Sequence, residues 1–143
     1  MTPEVEHLHA TLESLRAGVL RKLAGLTEED ARRSTVGSGT NVAGLVQHLT
    51  FAESAWFGTP ARGRRSMTVD PSVSLSELRA DYRAACAATN AIIEAAAGGD
   101  TPVTSKGRPG TLRTALLAVI AETARHAGHA DIIREQIDGA TGR

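Results

Sequence analysis

The chain has 143 residues, and its 16 lysine and arginine side chains balance 16 aspartate and glutamate side chains. This neutral balance argues against a nucleic-acid-binding surface or an anionic-membrane binder held by bulk electrostatics. Cys86 is the single cysteine, which excludes an intrachain disulfide framework and a cysteine-based zinc site and favours the cytoplasm. No apolar run approaches about 18 residues, and the first residues lack a signal-peptide pattern. We expect one soluble domain over residues 1–143.

Two helical segments are predicted in the first third of the chain. Thr2 and Pro3 are typical of a helix start, and Gly25 is typical of a stop. Between them the apolar residues recur at helical spacing: Val5, Leu8, Leu12, Leu15, Val19 and Leu23. Thr27, followed by three acidic residues, then predicts a short extra helical turn that runs through Arg33.

A second long helix is predicted from Asn41 to Phe57, after a Gly/Ser/Thr stretch at 37–40 and before Gly58. Residues 58–73 have no sustained period, so we expect them to form a surface crossover. This crossover carries three arginines, which form either a solvated loop or a clamp for a carboxylate-bearing substrate: Arg62, Arg64 and Arg65.

Two further long helices complete the predicted fold. Ser74 and Glu77 have the spacing of a capping box, and the helical pattern after them continues to the glycines at 98–99. Residues 100–110 are expected to form a loop, after which Thr111 caps a last helix that ends at Gly139. Because no segment shows convincing strand alternation, the sequence predicts an all-α four-helix bundle with the short extra turn after its first helix.

Two polar residues interrupt the apolar face of the last helix. Glu122 and His126 lie four residues apart in a row that otherwise contains Ala115, Val119, Ile133 and Ile137. His48 lies at the edge of the apolar stripe of the second long helix. An ionised carboxylate in an apolar row must be paired, hydrogen-bonded or bound to a cation, because burying it alone costs several kcal/mol. A divalent metal would satisfy all three groups.

Two histidines and one glutamate are also the ligand set of catalytic zinc sites that keep a position open for water or substrate. Alternatives remain at this point, since Glu122 and His126 also suit a simple intrahelical pair and His48 also suits a hydrogen-bonded core residue. His129 lies near His126 on the same helix, so a His48, His126 and His129 triad is a second ligand set. Otherwise His129 is an acid–base group of the pocket or a cap over the site.

Two segments carry a resemblance to a known family: VQHLTFAESAWF at residues 46–57 and ETARHAGHADIIREQIDG at residues 122–139. They resemble the DinB-like (YfiT-like) metalloenzyme superfamily, in particular its short actinobacterial-type branch, and the likeness extends over essentially the whole chain. This resemblance implies an up-up-down-down four-helix bundle, often dimeric, with a divalent metal held between the second and last long helices.

The resemblance places the metal on His48, Glu122 and His126. Many relatives have a histidine where this chain has Glu122, and the substitution is similar to the His/Glu/His site of the mycothiol-dependent maleylpyruvate isomerase family. His129 falls where relatives often carry glutamine, which favours a role other than ligand. The resemblance implies zinc as the first choice of metal and nickel as the second.

Three functions follow as hypotheses. The first is a metal-dependent transferase that uses a small thiol such as mycothiol and a small electrophile, with His129 as the proton acceptor. In this hypothesis the arginine loop recognises acidic groups. The second is a metal-dependent isomerase or hydrolase, and the third is a non-catalytic dimeric binding or stress-response module. In each case we expect a cytoplasmic homodimer without nucleic-acid or membrane partners.

Overall fold

The computed structural model describes residues 1–141 and is mostly helical there. Four long helices and one short helix occur in this part of the chain: α1 (Pro3–Leu23), α2 (Glu28–Arg32), α3 (Val42–Phe57), α4 (Leu75–Ala95) and α5 (Leu112–Asp138). Helix α3 packs against α4 and α5, and α5 also packs against α1. The mostly helical fold is confirmed, whereas the up-up-down-down order of a four-helix bundle stays a prediction.

Three of the four long helices start at a residue that the sequence predicts for a helix start: Thr2, Ser74 and Thr111. Asn41 caps α3, whereas the sequence predicts it as the first residue of that helix. The side chains of Thr2, Asn41 and Thr111 each accept a hydrogen bond from a backbone N–H in the first turn of α1, α3 and α5. Ser74 and Glu77 form the predicted capping box at the start of α4. Each of these side chains satisfies a backbone donor that has no partner inside the helix, which explains why the starts could be predicted locally.

Residues 100–110 are not the loop that the sequence predicts. Strands β1 (Pro102–Ser105) and β2 (Arg108–Thr111) form an antiparallel hairpin. Lys106 and Gly107 connect the two strands. Their φ angles of 51° and 76° are both positive, as a two-residue type I′ turn requires. The prediction of a purely helical chain is therefore wrong at this segment.

The hairpin is held on the last turn of α3, whose carbonyl groups have no partner within the helix. The backbone N–H of Lys106 donates to the Ala55 carbonyl oxygen at 2.7 Å, and the Ser105 hydroxyl donates to the Trp56 carbonyl oxygen at 2.8 Å. Gly58 ends α3 with a φ of 66°, and a Cβ there would lie 2.6 Å from the Thr104 carbonyl oxygen. Glycine at 58 therefore serves both the helix end and the close approach of β1.

The buried apolar residues form two clusters along the helices. One cluster includes Val19 of α1, Leu49 of α3, Tyr82 of α4 and Ala130 of α5. The other includes these residues from the same four helices: Leu12, Phe57, Ile93 and Val119. Between the two clusters the helices also bury polar side chains, which form a polar layer: Arg16, Glu53, Thr89, Thr123 and His126.

The crossover segment lies directly against α3. A Cβ added to Gly44 would be 1.9 Å from the Met67 carbonyl oxygen, so only glycine permits this approach. The Gln47 side-chain amide donates to the carbonyl oxygens of Ser66 and Thr68 at 2.9 and 3.1 Å. The predicted surface crossover is thus a fixed strap over the part of α3 that carries His48.

None of the described helices combines the length and apolar character that crossing a membrane requires.

Candidate metal centre

The structure brings together the three side chains that the sequence singles out as ligands. One ligand atom each from His48, Glu122 and His126 lies within 4.8 Å of the other two. The Oε2 atom of Glu122 is 3.0 Å from Nε2 of His126 and 3.5 Å from Nε2 of His48. The two imidazole rings meet edge to face, with centroids 4.8 Å apart. One carboxylate oxygen therefore faces a nitrogen of each ring.

The three side chains are shielded but still reachable. The exposed side-chain fractions are 10% for His126, 18% for His48 and 26% for Glu122. Glu122 also has Arg125 on its outer side, with Nη1 of the arginine 3.6 Å from Oε1 of the carboxylate. The cluster is consequently open toward solvent at its carboxylate, as a site that admits a small molecule must be.

His48 is oriented by the crossover segment. Its Nδ1 atom lies 2.9 Å from the Arg65 backbone carbonyl oxygen. A carbonyl oxygen only accepts, so Nδ1 donates to it and Nε2 is the nitrogen that faces Glu122. This is the arrangement that metal-ligating histidines usually have, with the second ring nitrogen donating to a carbonyl or carboxylate.

His126 is held in its neutral form. Burial lowers the pKa of its imidazole, the neighbouring His48 lowers it further, and the Glu122 carboxylate opposes both effects. Its Nδ1 atom is buried and has no hydrogen-bond partner within the described part of the chain. Its Nε2 atom lies 3.0 Å from Oε2 of Glu122, so in the neutral ring Nε2–H donates to this carboxylate and the lone pair is on the buried Nδ1. A cation bound at Nε2 would take the place of this proton, and the proton of the neutral ring would then be on Nδ1.

The donor set fits a divalent metal. Ligands about 2.0–2.1 Å from a tetrahedral zinc ion are about 3.3 Å from one another. The separations of 3.0 and 3.5 Å around Glu122 Oε2 bracket that value. Two neutral imidazoles and one carboxylate would leave the bound cation with a net positive charge that attracts a further anionic ligand.

His129 lies beside this cluster and is not one of its members. Its ring centroid is 5.6 Å from that of His126, and its side chain lines a neighbouring cavity together with residues of segment 36–40. The close group of ligand atoms includes Glu122 in place of His129. The arrangement therefore favours the first ligand set over the His48, His126 and His129 triad.

The arginine loop contacts the cluster through its backbone. Arg65 supplies the carbonyl oxygen at His48, and Arg62 lies 3.8 Å from the Asp81 carboxylate at the surface. The side chains of Arg64 and Arg65 are exposed. The clamp for an acidic group stays a prediction.

A buried ion pair in the polar layer was not foreseen from the sequence. Arg16 donates two hydrogen bonds to Glu53, both 2.7 Å long, and these side chains are only 4% and 1% exposed. Burial alone would lower the pKa of the Arg16 guanidinium, but its hydrogen bonds and charge interaction with Glu53 outweigh this and raise it. The sequence did contain a signal for this pair: Arg16 lies four positions after Leu12 in α1, and Glu53 lies four positions after Leu49 in α3, so both charges fall on apolar helix faces.

Cys86 borders this pair, as Sγ lies 3.8 Å from Oε1 of Glu53. Burial and the nearby Glu53 carboxylate raise the pKa of its thiol to about 12. The thiol therefore stays protonated at neutral pH and is a poor nucleophile.

Comparison with known proteins identifies the family. The family model described as mycothiol-S-transferase matches residues 7–139. A crystal structure of a conserved protein from Enterococcus faecalis has the same fold, with a TM-score of 0.70 and 16% identity over 98% of this chain and all of that chain. No curated protein matches the chain. The DinB-like resemblance is confirmed, and the chain belongs to the mycothiol-S-transferase family.

Proposed function

We propose that this protein transfers a low-molecular-weight thiol such as mycothiol to a small electrophile, with a divalent metal held by His48, Glu122 and His126. Zinc is the first choice and nickel the second. The observation that carries the proposal is the single carboxylate oxygen that faces one nitrogen of each of two imidazoles. Membership of the mycothiol-S-transferase family supports the thiol as the substrate.

Thiol transfer needs a thiolate, because a thiol is a weak nucleophile at neutral pH. A bound divalent metal supplies this chemistry by stabilising the thiolate. The chain contributes the conditions for holding that metal. Arg65 fixes the tautomer of His48, and burial keeps His126 neutral. Glu122 supplies the one negative charge of the ligand set.

His129 is the proposed proton acceptor. Its exposed ring lies next to His126 and lines the cavity, so it is close to the cluster without belonging to it. In the proposed step the thiol proton passes to His129 and the sulfur lone pair forms a bond to the electrophilic carbon. The bond from that carbon to its leaving group breaks, and the leaving group departs with the electron pair.

The test is a conjugation assay with the zinc-loaded protein, mycothiol and monochlorobimane, whose products are the fluorescent thioether and chloride. We expect His48→Ala to remove most of the protein-dependent rate. The matched control is His7→Ala, which removes an exposed imidazole of α1 and leaves the rate unchanged. Equal rates for the His48→Ala variant and the parent would refute the role of the cluster.

Two further measurements distinguish the alternative functions: activity without small thiols and the amount of metal that the protein retains. An isomerase or hydrolase that uses the metal to activate water would keep its activity after all small thiols are removed. A non-catalytic module would not retain stoichiometric metal after reconstitution and dialysis. Thiol-dependent turnover together with one retained metal ion per chain supports the transferase and opposes both alternatives.

A further inference from the structure

A cavity of about 320 Å³ lies beside the candidate metal centre and is not part of it. It is formed where α5 meets the segment between α2 and α3, and these residues line it: Val36, Ser38, Thr40, His129, Ile132 and Ile133. Its volume falls at the lower end of the range typical of small-molecule sites, about 300–1,000 Å³.

The walls of this cavity are apolar. Val36 is 41% exposed and Ile132 is 58% exposed, so both present large apolar surfaces to solvent, whereas Ile133 is buried. The Ser38 and Thr40 hydroxyls hydrogen-bond to each other at 2.9 Å. One of these hydroxyls donates to the other, so only one hydroxyl hydrogen of the two side chains is left for water or an occupant. His129 is its one ionisable group.

The wall that carries Val36 is anchored at both ends. The Thr35 hydroxyl donates a hydrogen bond to the side-chain carbonyl of Gln136 on α5. Asn41 caps α3 and donates to the Gly39 carbonyl oxygen at 3.2 Å. The first contact ties the start of this segment to α5, and the second ties its end to the start of α3.

The cavity and the metal centre share a border at His129. The His129 side chain lines the cavity, and its ring centroid is 5.6 Å from that of His126. A molecule that fills the cavity therefore has one end close to the group that we propose as the proton acceptor and to the cluster where the thiol reacts.

We propose that this cavity holds the apolar body of the electrophile, which makes uncharged aromatic or alicyclic compounds of one or two rings the preferred acceptors. The inference rests on the proposed transferase function. The thiol is a poorer occupant, because the hydroxylated rings of mycothiol would lose hydrogen bonds to water against Val36 and Ile132. A second copy of the chain is also a poorer occupant, since a stable interface buries roughly 800 Å² on each partner, far more than six residues provide.

The first test compares two electrophiles with the same thiol: monochlorobimane, which has two fused rings, and iodoacetamide, which is small and polar. Ile132→Glu places a charge on the exposed wall, and we expect it to lower the ratio of kcat/KM for monochlorobimane to that for iodoacetamide about tenfold. The matched control is Leu117→Glu, an exposed leucine of the same helix outside the cavity, 51% exposed, which keeps the parent ratio. An unchanged ratio in the Ile132→Glu variant overturns the proposal.

A binding measurement separates this inference from the transferase function. The unreactive bimane in which hydrogen replaces chlorine is added without thiol, and backbone amide shifts are followed by NMR. We expect shifts at Val36 and Ile132 in the parent and none in the Ile132→Glu variant. If the bimane binds but no thiol is conjugated, the proposed cavity is supported and the proposed transferase function fails. If thiol is conjugated but these shifts are missing, the proposed role of the cavity is overturned. A third outcome would also overturn the proposal. In it the parent is a dimer that shows no bimane shifts, and Ile132→Glu converts it to a monomer, so the face belongs to an interface with a second copy.

Discussion

The imidazole of His48 and the backbone carbonyl of Arg65 form the contact that links the crossover segment to the candidate metal centre. The 2.9 Å hydrogen bond between them sets the tautomer of His48 and turns Nε2 toward Glu122. The strap is in turn fixed to α3 by the approach of Met67 to Gly44. The geometry of a ligand thus depends on a glycine one turn before it on the same helix.

Gly44→Ala is expected to weaken both the fold and the metal site. The new Cβ would lie 1.9 Å from the Met67 carbonyl oxygen, so the strap must shift and carry the Arg65 carbonyl with it. We expect a loss of about 1–3 kcal/mol in the free energy of unfolding, measured by urea denaturation. We also expect a loss in zinc affinity of about tenfold.

The matched control for this substitution is Gly18→Ala in α1, where the new Cβ would meet a side-chain nitrogen of Arg21 at an ordinary 3.5 Å. It is expected to raise the free energy of unfolding by about 0.5–1 kcal/mol through helix propensity. Equal effects of the two substitutions would contradict the role of the strap.

Glu122→Gln is expected to reduce zinc affinity by at least about tenfold while leaving the fold intact. The amide keeps the size of the side chain but removes the charge that faces His48 and His126. Competition with a fluorescent zinc chelator measures the affinity. Glu135→Gln, the same change at an exposed position of α5, is the control and should match the parent. A chelator curve for Glu122→Gln that overlays the parent curve would count against Glu122 as a ligand.

Glu53→Leu is expected to destabilise the protein by up to about 3–5 kcal/mol, because the buried Arg16 guanidinium loses the carboxylate that accepts two of its hydrogen bonds and keeps only Glu13 and Asn90 as partners. The double variant Arg16→Met and Glu53→Leu removes both charges and should recover most of this loss. Glu4→Gln breaks the exposed pair with Arg113 and should cost far less than the loss of Glu53. A double-mutant cycle by urea denaturation measures the coupling, and additive losses would show that the buried pair is not coupled.

Cys86 is expected to react with iodoacetamide at pH 8 at least about a hundredfold more slowly in the folded protein than in urea, because its pKa is raised to about 12. Since the folded pKa lies above the ordinary value of 9.0, stability is fully present below that pH and declines as the pH rises toward 12. Mass spectrometry of the alkylated chain measures the rates. Comparable rates in the two states would show that the thiol is not shielded, and it would then consume electrophile in the conjugation assay.

The parts of the fold that could be predicted are those with local causes. Thr2, Asn41, Ser74 and Thr111 cap helices through contacts within four residues, so the helix starts follow from short sequence patterns. The hairpin could not be read in this way. Pro109 and Gly110 are poor strand residues, and contacts with the last turn of α3 hold the turn at Lys106.

The same distinction between local and long-range causes applies to the candidate site. A charge in an apolar helical row singled out Glu122 and His126, and the family resemblance converged on the same residues. The pairing of Arg16 with Glu53 spans 37 residues, and the support for His48 comes from a backbone carbonyl in an aperiodic segment. Neither contact produces a periodic pattern in the sequence, so both could be identified only in the folded structure.

The most direct test of the account is a crystal structure of the zinc-loaded protein with an anomalous difference map at the zinc edge. We expect one peak per chain between His48, Glu122 and His126, about 2.0–2.1 Å from an imidazole nitrogen of each histidine. A peak that involves other side chains, or a map without a peak at this cluster, would contradict it.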